Sequence, residues 1–283
     1  MIRFAFALAA LAIVILVLVP FQWLGLALGW PIQRRIPHLF HRAFCRLAGV
    51  RIREVGTRTA DTPVLILANH VSWLDICVIG ALAPVVFIAK SEVAKWPVFG
   101  FLARLQRTIF IERERRQKTG AATQEIGDRL LGGDAVVLFA EGTSSDGIRI
   151  LPFRSALIGA VHHALGESAH HNEITVQPLS LAYVRFGGLP VGRALRDNVA
   201  WYGDAELIPH FIGILRAGAT DITVTWGDAT AYDMSADRKA IARDAERCVR
   251  RMTSAALRAG APASMPARPA PEEPAADATP TVA

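Results

Sequence analysis

The stretch Asn69-His70-Val71-Ser72-Trp73-Leu74-Asp75 places an imidazole five residues before a carboxylate, directly after the apolar run Val64 to Ala68. A carboxylate that accepts from one ring nitrogen fixes the tautomer and leaves the other nitrogen free to take a proton. Such a pair can act as a general base on a hydroxyl. Five residues turn through about 140° of a helix, so the two side chains do not share a helical face. They meet if His70 lies in a strand-to-helix turn and Asp75 in the first helical turn. Asp75 also fits a second role, because Ser72-Trp73-Leu74-Asp75 has capping-box spacing, with Ser72 as cap and Asp75 reaching back. The two roles are compatible.

The elements that must hold this pair can be read from hydrophobic period. Short β-branched runs predict strands at Val64 to Ala68, Val85 to Ala89, Thr108 to Ile111, Ala135 to Ala140, Ile174 to Tyr183 and Ile222 to Trp226. Helical spacing predicts helices at Trp73 to Leu82, Ser91 to Leu105, Gln117 to Leu131 and Phe153 to Leu165. A last helix spans about Ala236 to Ala259, with Ser235 as N-cap and Asp237 in its first turn. Residues 184–220 are Gly-rich and give no clear pairing. Strand–helix alternation predicts an α/β domain with a mostly parallel central sheet flanked by helices. Ligand sites in such sheets lie beyond the carboxyl ends of strands. Asn69-His70, Lys90, Arg113 and Glu141-Gly142-Thr143 all follow predicted strands.

Before that domain, no charged residue lies between Arg3 and Arg34. As one helix this gap would be about 45 Å long, against a hydrocarbon core of about 30 Å. Pro20 falls inside it and is expected to kink or break the helix. The segment reads as a membrane helix of roughly Phe4 to Val19 continuing into an interfacial stretch around Trp23 and Trp30, or as a helical hairpin in one leaflet. The apolar run far exceeds the ~7–15 residues of a cleaved signal's core. A basic flank follows, with Arg34, Arg35, Arg42, Arg46, Arg51 and Arg53 opposed only by Glu54. The positive-inside bias puts this flank and the following domain on the cytoplasmic side of the inner membrane, against anionic headgroups. Phe40, Phe44 and Leu47 interleave at helical spacing and predict an amphipathic interfacial helix.

These readings divide the chain into a membrane segment (1–33), a basic amphipathic interfacial segment (34–58), a catalytic domain (59–259) and a disordered Ala/Pro/Glu tail (260–283). The chain is 52% hydrophobic, with mean hydropathy +0.31, net charge +6 and isoelectric point about 9.7. A basic balance suits nucleic acid or anionic lipid. The apolar N-terminus and the lack of zinc-finger or aromatic RNA-binding signatures favour lipid, with no nucleic-acid partner. Cys45, Cys77 and Cys248 form neither a disulfide framework nor a metal box, which predicts a reducing compartment. His162, His163, His170 and His171 have no metal-ligand spacing and read as surface residues. No metal site is expected.

Asn69-His70-x-Ser72-x-x-Asp75 resembles the first signature of the glycerolipid acyltransferases, which include the lysophosphatidic acid acyltransferases. Pro97-Val98-Phe99-Gly100 with Ile111-Glu112-Arg113 resembles the second, Phe139-Ala140-Glu141-Gly142-Thr143 the third, and Val176-Gln177-Pro178-Leu179 the fourth. Four blocks in family order, over about residues 60–185, are far more specific than a histidine and an aspartate alone. The resemblance implies acyl transfer from an acyl-CoA or acyl carrier protein thioester to the free hydroxyl of a lysolipid, without metal or covalent intermediate. His70 and Asp75 would be the catalytic pair. The resemblance places Asn69, Ser72, Arg113, Glu141, Gly142, Thr143, Ser144, Arg149 and Arg154 around the substrates. Arg113 would hold an acceptor phosphate, and backbone N–H groups from Glu141 to Ser145 would stabilise the oxyanion.

The third block departs from its pattern. Ala140 stands where proline is usual and Ser144 where arginine is usual. A guanidinium binds phosphate bidentately, whereas a serine hydroxyl offers one donor and no charge. Ser144-Ser145-Asp146-Gly147 and Leu151-Pro152-Phe153-Arg154-Ser155 also resemble the branch that acylates lyso-ornithine lipid, whose acceptor has no phosphate. The leading expectation is a 1-acylglycerol-3-phosphate O-acyltransferase, with lyso-ornithine lipid acylation as the alternative. A non-catalytic lipid-binding protein is the alternative of another class. Trp73, Trp96, Phe99 and Phe101 are candidate walls of a hydrocarbon groove.

Overall fold

A computed structural model describes residues 2–61, 63–111, 119–156, 158–159, 161, 173–233 and 235–260. Nine strands are β1 (Val50–Val55), β2 (Val64–Ala68), β3 (Val85–Lys90), β4 (Ile109–Ile111), β5 (Ala135–Phe139), β6 (Glu173–Phe186), β7 (Leu189–Pro190), β8 (Thr220–Trp226) and β9 (Thr230–Asp233). Seven of them follow the order β1-β8-β6-β2-β5-β3-β4, while β7 and β9 pair with β6. The pairs from β6 through β2, β5 and β3 to β4 are parallel, as is β1 with β8. β8 runs antiparallel to β6 and joins the two parallel parts. The predicted mostly parallel α/β sheet is the observed one.

The helices are α1 (Ile2–Ala27), α2 (Ile36–Ala48), α3 (Leu74–Leu82), α4 (Phe99–Leu105), α5 (Thr119–Leu131), α6 (Leu207–Ala217) and α7 (Arg238–Gly260). All five residues of β2 and of β5 are buried, which explains their unbroken apolar runs. Their side chains alternate between two cores. Val64, Ile66, Val137 and Phe139 face Phe44 of α2, Ile79 of α3, Leu215 of α6 and Leu11 of α1. Leu65, Leu67, Val136 and Leu138 face Ile126 and Leu130 of α5 and Ile241, Ala245 and Val249 of α7. The membrane-type helix and the final helix therefore cover opposite faces of one sheet.

Several expectations change. α1 continues through Pro20, which is exposed and removes one ladder bond without ending the helix. Its Arg3 donates to the carbonyls of Leu215 and Gly218 (2.9 and 3.1 Å), and its Gln22 to those of Leu105 and Gln33 (2.5 and 3.1 Å). The apolar stripe of α2 is not an interfacial face. Phe44 and Cys45 lie in the core against α3, because α3 supplies the apolar surface the stripe needs. The 34–58 segment is thus part of the domain, and its second half is the edge strand β1. The arginines that hid this strand point outward, Arg51 pairing with Asp221 at 2.5 Å. The helix expected over 91–105 is split into a 3-10 turn (Ser91–Lys95) and α4 around Pro97. Asp237, not Ser235, caps α7, its carboxylate accepting from Lys239 N at 2.9 Å. The helix expected at 153–165 is only partly among the described residues. The four histidines from 162 to 171 and the tail from 261 lie outside them.

Register sets the site. Ala68 of β2 lies level with Phe139 of β5 and Leu179 of β6. β2 and β5 therefore deliver Asn69-His70 and Ala140-Glu141 to the same carboxyl edge. β6 runs seven residues further and carries Leu181 and Tyr183 past that edge. Pro178 is tolerated in this central strand because opposite it β6 passes from its pairing with β9 to its pairing with β8. Gly227 N donates to its carbonyl at 2.8 Å, and Gln177 donates to Gly227 O and Thr57 O, 2.9 Å each.

Candidate active site

His70 lies in the turn between β2 and α3, and Asp75 in the first turn of α3. His70 Nδ1 is 2.9 Å from Asp75 Oδ2. The same oxygen accepts from Val71 N (2.7 Å) and Ser72 N (2.9 Å), while Asp75 Oδ1 accepts from Tyr183 Oη at 2.6 Å. Asp75 is fully buried, and all four of its contacts can be donors, so it is held as an acceptor. Burial beside Asp75 pushes the Tyr183 phenol well above its ordinary range, which keeps it a donor. Both roles read for Asp75 are thus present: it reaches back to cap the helix entry and it orients the imidazole. Among the described residues no contact occupies His70 Nε2. The ring stacks on Phe139, centroids 4.0 Å apart and 18° between planes, and its side chain keeps 18% exposure. An apolar shelf below and a carboxylate behind leave one nitrogen facing the opening.

Glu141, buried to 1% exposure, ties the two loops together. Its Oε1 accepts from His70 N (3.0 Å) and its Oε2 from Leu151 N (3.1 Å). Arg154 Nε donates to Glu141 O at 3.2 Å, and Ser145 N donates to His70 O at 2.9 Å. Gly147 has φ 69°, and a Cβ there would lie 2.8 Å from Val71, so the loop closes on the His70 turn only with glycine.

Burial raises the Glu141 carboxyl to about 7 against the opposing N–H groups of His70 and Leu151. The folded state then holds this proton more tightly than an unfolded chain with the ordinary value of 4.5. Its contribution is present below that value and is lost as pH rises through about 7. Glu141→Gln removes the ionisation and one acceptor. The melting temperature of the variant relative to the native chain should therefore rise between pH 5.5 and 8. A difference that stays flat or falls across that window would refute the burial argument.

The other anticipated residues divide clearly. Asn69 turns inward. It is buried, and its amide exchanges two hydrogen bonds with the Leu181 backbone (3.0 and 2.8 Å), fastening β2 to β6. Ser72 is also buried, beneath Leu74 N at 3.4 Å, and acts on the turn. Gly142 lies buried in the loop at φ 74°, its N–H on Phe139 O at 3.0 Å. The N–H groups of Gly142 and Ser145 are thereby engaged, which narrows the anticipated oxyanion donors. Thr143 and Arg149 are exposed and Ser144 half-buried on the outer loop. Arg113 lies outside the described residues. Trp73 and Phe99 join Phe44 and Phe211 in one aromatic cluster, and Trp96 packs on Trp201 at 6.0 Å, whereas Phe101 is 48% exposed.

Two residues had no sequence signal. Tyr183 lies 108 positions from Asp75 and is recognisable only once β6 is paired with β2. Arg196 is 6% exposed, with Nε and Nη1 unpartnered, in a segment whose Trp201 N donates to Val71 O at 2.8 Å. No cluster of potential metal ligands occurs among the described residues. A cavity of about 280 Å³ beside Arg58, Arg107 and Asp134 opens at the amino ends of β2, β3 and β5, away from His70.

Comparison with known proteins gives this geometry a family. The Acyltransferase family profile matches residues 49–182. A lyso-ornithine lipid O-acyltransferase of Brucella abortus is 51% identical over 258 residues, covering 90% of this chain and 96% of that protein. The chain belongs to the acyltransferase family. It is an enzyme of the lysolipid-acylating type. A 1-acyl-sn-glycerol-3-phosphate acyltransferase of Neisseria gonorrhoeae is 41% identical over 106 residues, 37% of this acyltransferase and 42% of the relative. The crystal structure of the 1-acyl-sn-glycerophosphate (LPA) acyltransferase PlsC from Thermotoga maritima shares the fold, with TM-score 0.58, 19% identity and coverage of 90% of this chain and 96% of that one.

Proposed function

We propose that this acyltransferase esterifies the free hydroxyl of lyso-ornithine lipid at a membrane surface, using an acyl thioester. The observation that carries the acceptor is the end-to-end likeness to a lyso-ornithine lipid O-acyltransferase, against a partial match to an enzyme of 1-acyl-sn-glycerol 3-phosphate. Ser144, in the position where a phosphate-binding arginine is usual, points the same way. This reverses the order of the two acceptors expected from the family resemblance. Membrane residence is supported by α1, which is 26 residues long, strongly apolar and largely unburied by the rest of the chain. The cytoplasmic placement rests on the arginine-rich flank after it.

In the reaction, His70 Nε2 takes the proton of the acceptor hydroxyl while Asp75 holds Nδ1–H and favours the imidazolium that forms. The hydroxyl oxygen attacks the thioester carbonyl carbon. A C–O bond forms, the C–S bond breaks, and the proton held by His70 passes to the departing thiolate. Of the five backbone N–H groups from Glu141 to Ser145, those of Glu141, Thr143 and Ser144 remain for the oxyanion. No covalent acyl-enzyme or metal is called for, because the thiolate is already a good leaving group.

Full-length enzyme in mixed lipid vesicles, given a labelled acyl thioester and each acceptor, tests the assignment by thin-layer separation of products. Lyso-ornithine lipid should have a kcat/KM higher by about tenfold or more. A preference for 1-acyl-sn-glycerol 3-phosphate would overturn it.

A further inference from the structure

α7 carries Arg238, Lys239, Arg243, Arg247, Arg250, Arg251 and Arg258 against only Asp244 and Glu246. Seven cations less two carboxylates leave this one helix a net charge of +5. Its apolar stripe, from Ile241 to Ala256, is buried against the sheet, and all seven cations are exposed. Arg243, Arg247 and Arg250 have acidic neighbours on or beside the helix. Arg251 and Arg258 have none among the described residues. From Arg243 to Arg258 the stripe is about 22 Å long.

We propose that this face of α7 is the docking surface for an acidic acyl carrier protein that brings the thioester to His70. The inference rests on the acyl-transfer reading above. α7 packs on the face of the sheet opposite α1, so its cations point away from the lipid that α1 seeks and into water. A lipid headgroup cannot serve both faces at once. A stripe of this length also exceeds what the phosphates of a small thioester require, whereas it fits an acidic helix laid along it.

The face is mechanically joined to the reaction centre. Arg250 Nη2 donates to Ile150 O at 3.1 Å, and Glu246 Oε2 accepts from Phe153 N at 3.1 Å. The Leu151 N–H between them donates to Glu141, whose other oxygen holds His70 N. A carrier seated on α7 would lie beside the catalytic loop, where exposed Arg149 and Arg154 extend the positive surface. Donor and acceptor would then approach from opposite sides of the sheet.

The test compares full-length enzyme with an Arg247→Glu/Arg251→Glu/Arg258→Glu variant. Both are assayed with an acyl carrier protein thioester and with the matching acyl-pantetheine, on vesicles of fixed composition. The kcat/KM for the carrier should fall about 30-fold, through KM, with a flatter salt dependence. Acyl-pantetheine turnover, vesicle co-sedimentation and the melting temperature should not move. An equal loss with both donors, or loss of vesicle binding, overturns the docking surface; the latter would make α7 a membrane face. A native enzyme that turns over acyl-pantetheine but not the carrier thioester overturns it too, while leaving the acyl-transfer reading intact. If neither thioester supports ester formation, the acyl-transfer reading itself fails.

Discussion

His70→Ala should lower kcat by about 10³-fold or more while leaving the melting temperature and vesicle binding close to native. The ring contributes one hydrogen bond and a stacking contact on Phe139 to the fold, and its side chain is partly exposed, so its removal costs little structure. Its loss leaves no other group among the described residues in contact with Asp75 that can take a proton from a hydroxyl. Steady-state kinetics with saturating acceptor and thioester check this, with circular dichroism as the folding control. A variant retaining even a tenth of native kcat would show that the hydroxyl is activated by something else.

The second large effect falls on Asp75. Asp75→Asn is nearly isosteric but turns one acceptor oxygen into an NH2 group inside a shell of four donors. With its NH2 toward Val71 N and Ser72 N the amide faces two donors, and with its NH2 toward Tyr183 Oη it donates to the phenol, whose own O–H then loses its acceptor; either way a buried donor loses its partner, which costs about 1–3 kcal/mol. The imidazole also loses the carboxylate that holds its tautomer and favours the imidazolium, and about 10²- to 10⁴-fold in kcat should go with it. The signature is a joint loss of rate and melting temperature. Tyr183→Phe provides the comparison, since it removes one donor from Asp75 without touching His70 Nδ1. It should cost about 1 kcal/mol and roughly tenfold or less in rate. If Asp75→Asn did no more harm than Tyr183→Phe, Asp75 would be a capping residue only.

What was legible in the chain follows from how each element is buried. β2 and β5 are covered on both faces, so they read as apolar runs, and their last residues name the site. β1 was hidden because an edge strand with outward arginines looks like a basic flank. The stripe of Phe44 and Leu47 is visible by spacing, but spacing does not tell a bilayer from α3 as the surface it meets. Asn69 and Ser72 share a motif with His70, and proximity in a motif does not separate a group facing substrate from one holding the turn. Tyr183 and Arg196 needed the sheet to be assembled before they had neighbours.

The way α1 is fastened has a practical consequence. Arg3 closes on the end of α6 and Gln22 on the end of α4, while Leu11 is part of the same core as Phe44 and Leu215. The apolar N-terminal helix is therefore also a wall of the domain. Trimming it to obtain a water-soluble enzyme would expose that core and strand the carbonyls it satisfies. The piece best fitted to hydrocarbon is one the catalytic domain cannot shed.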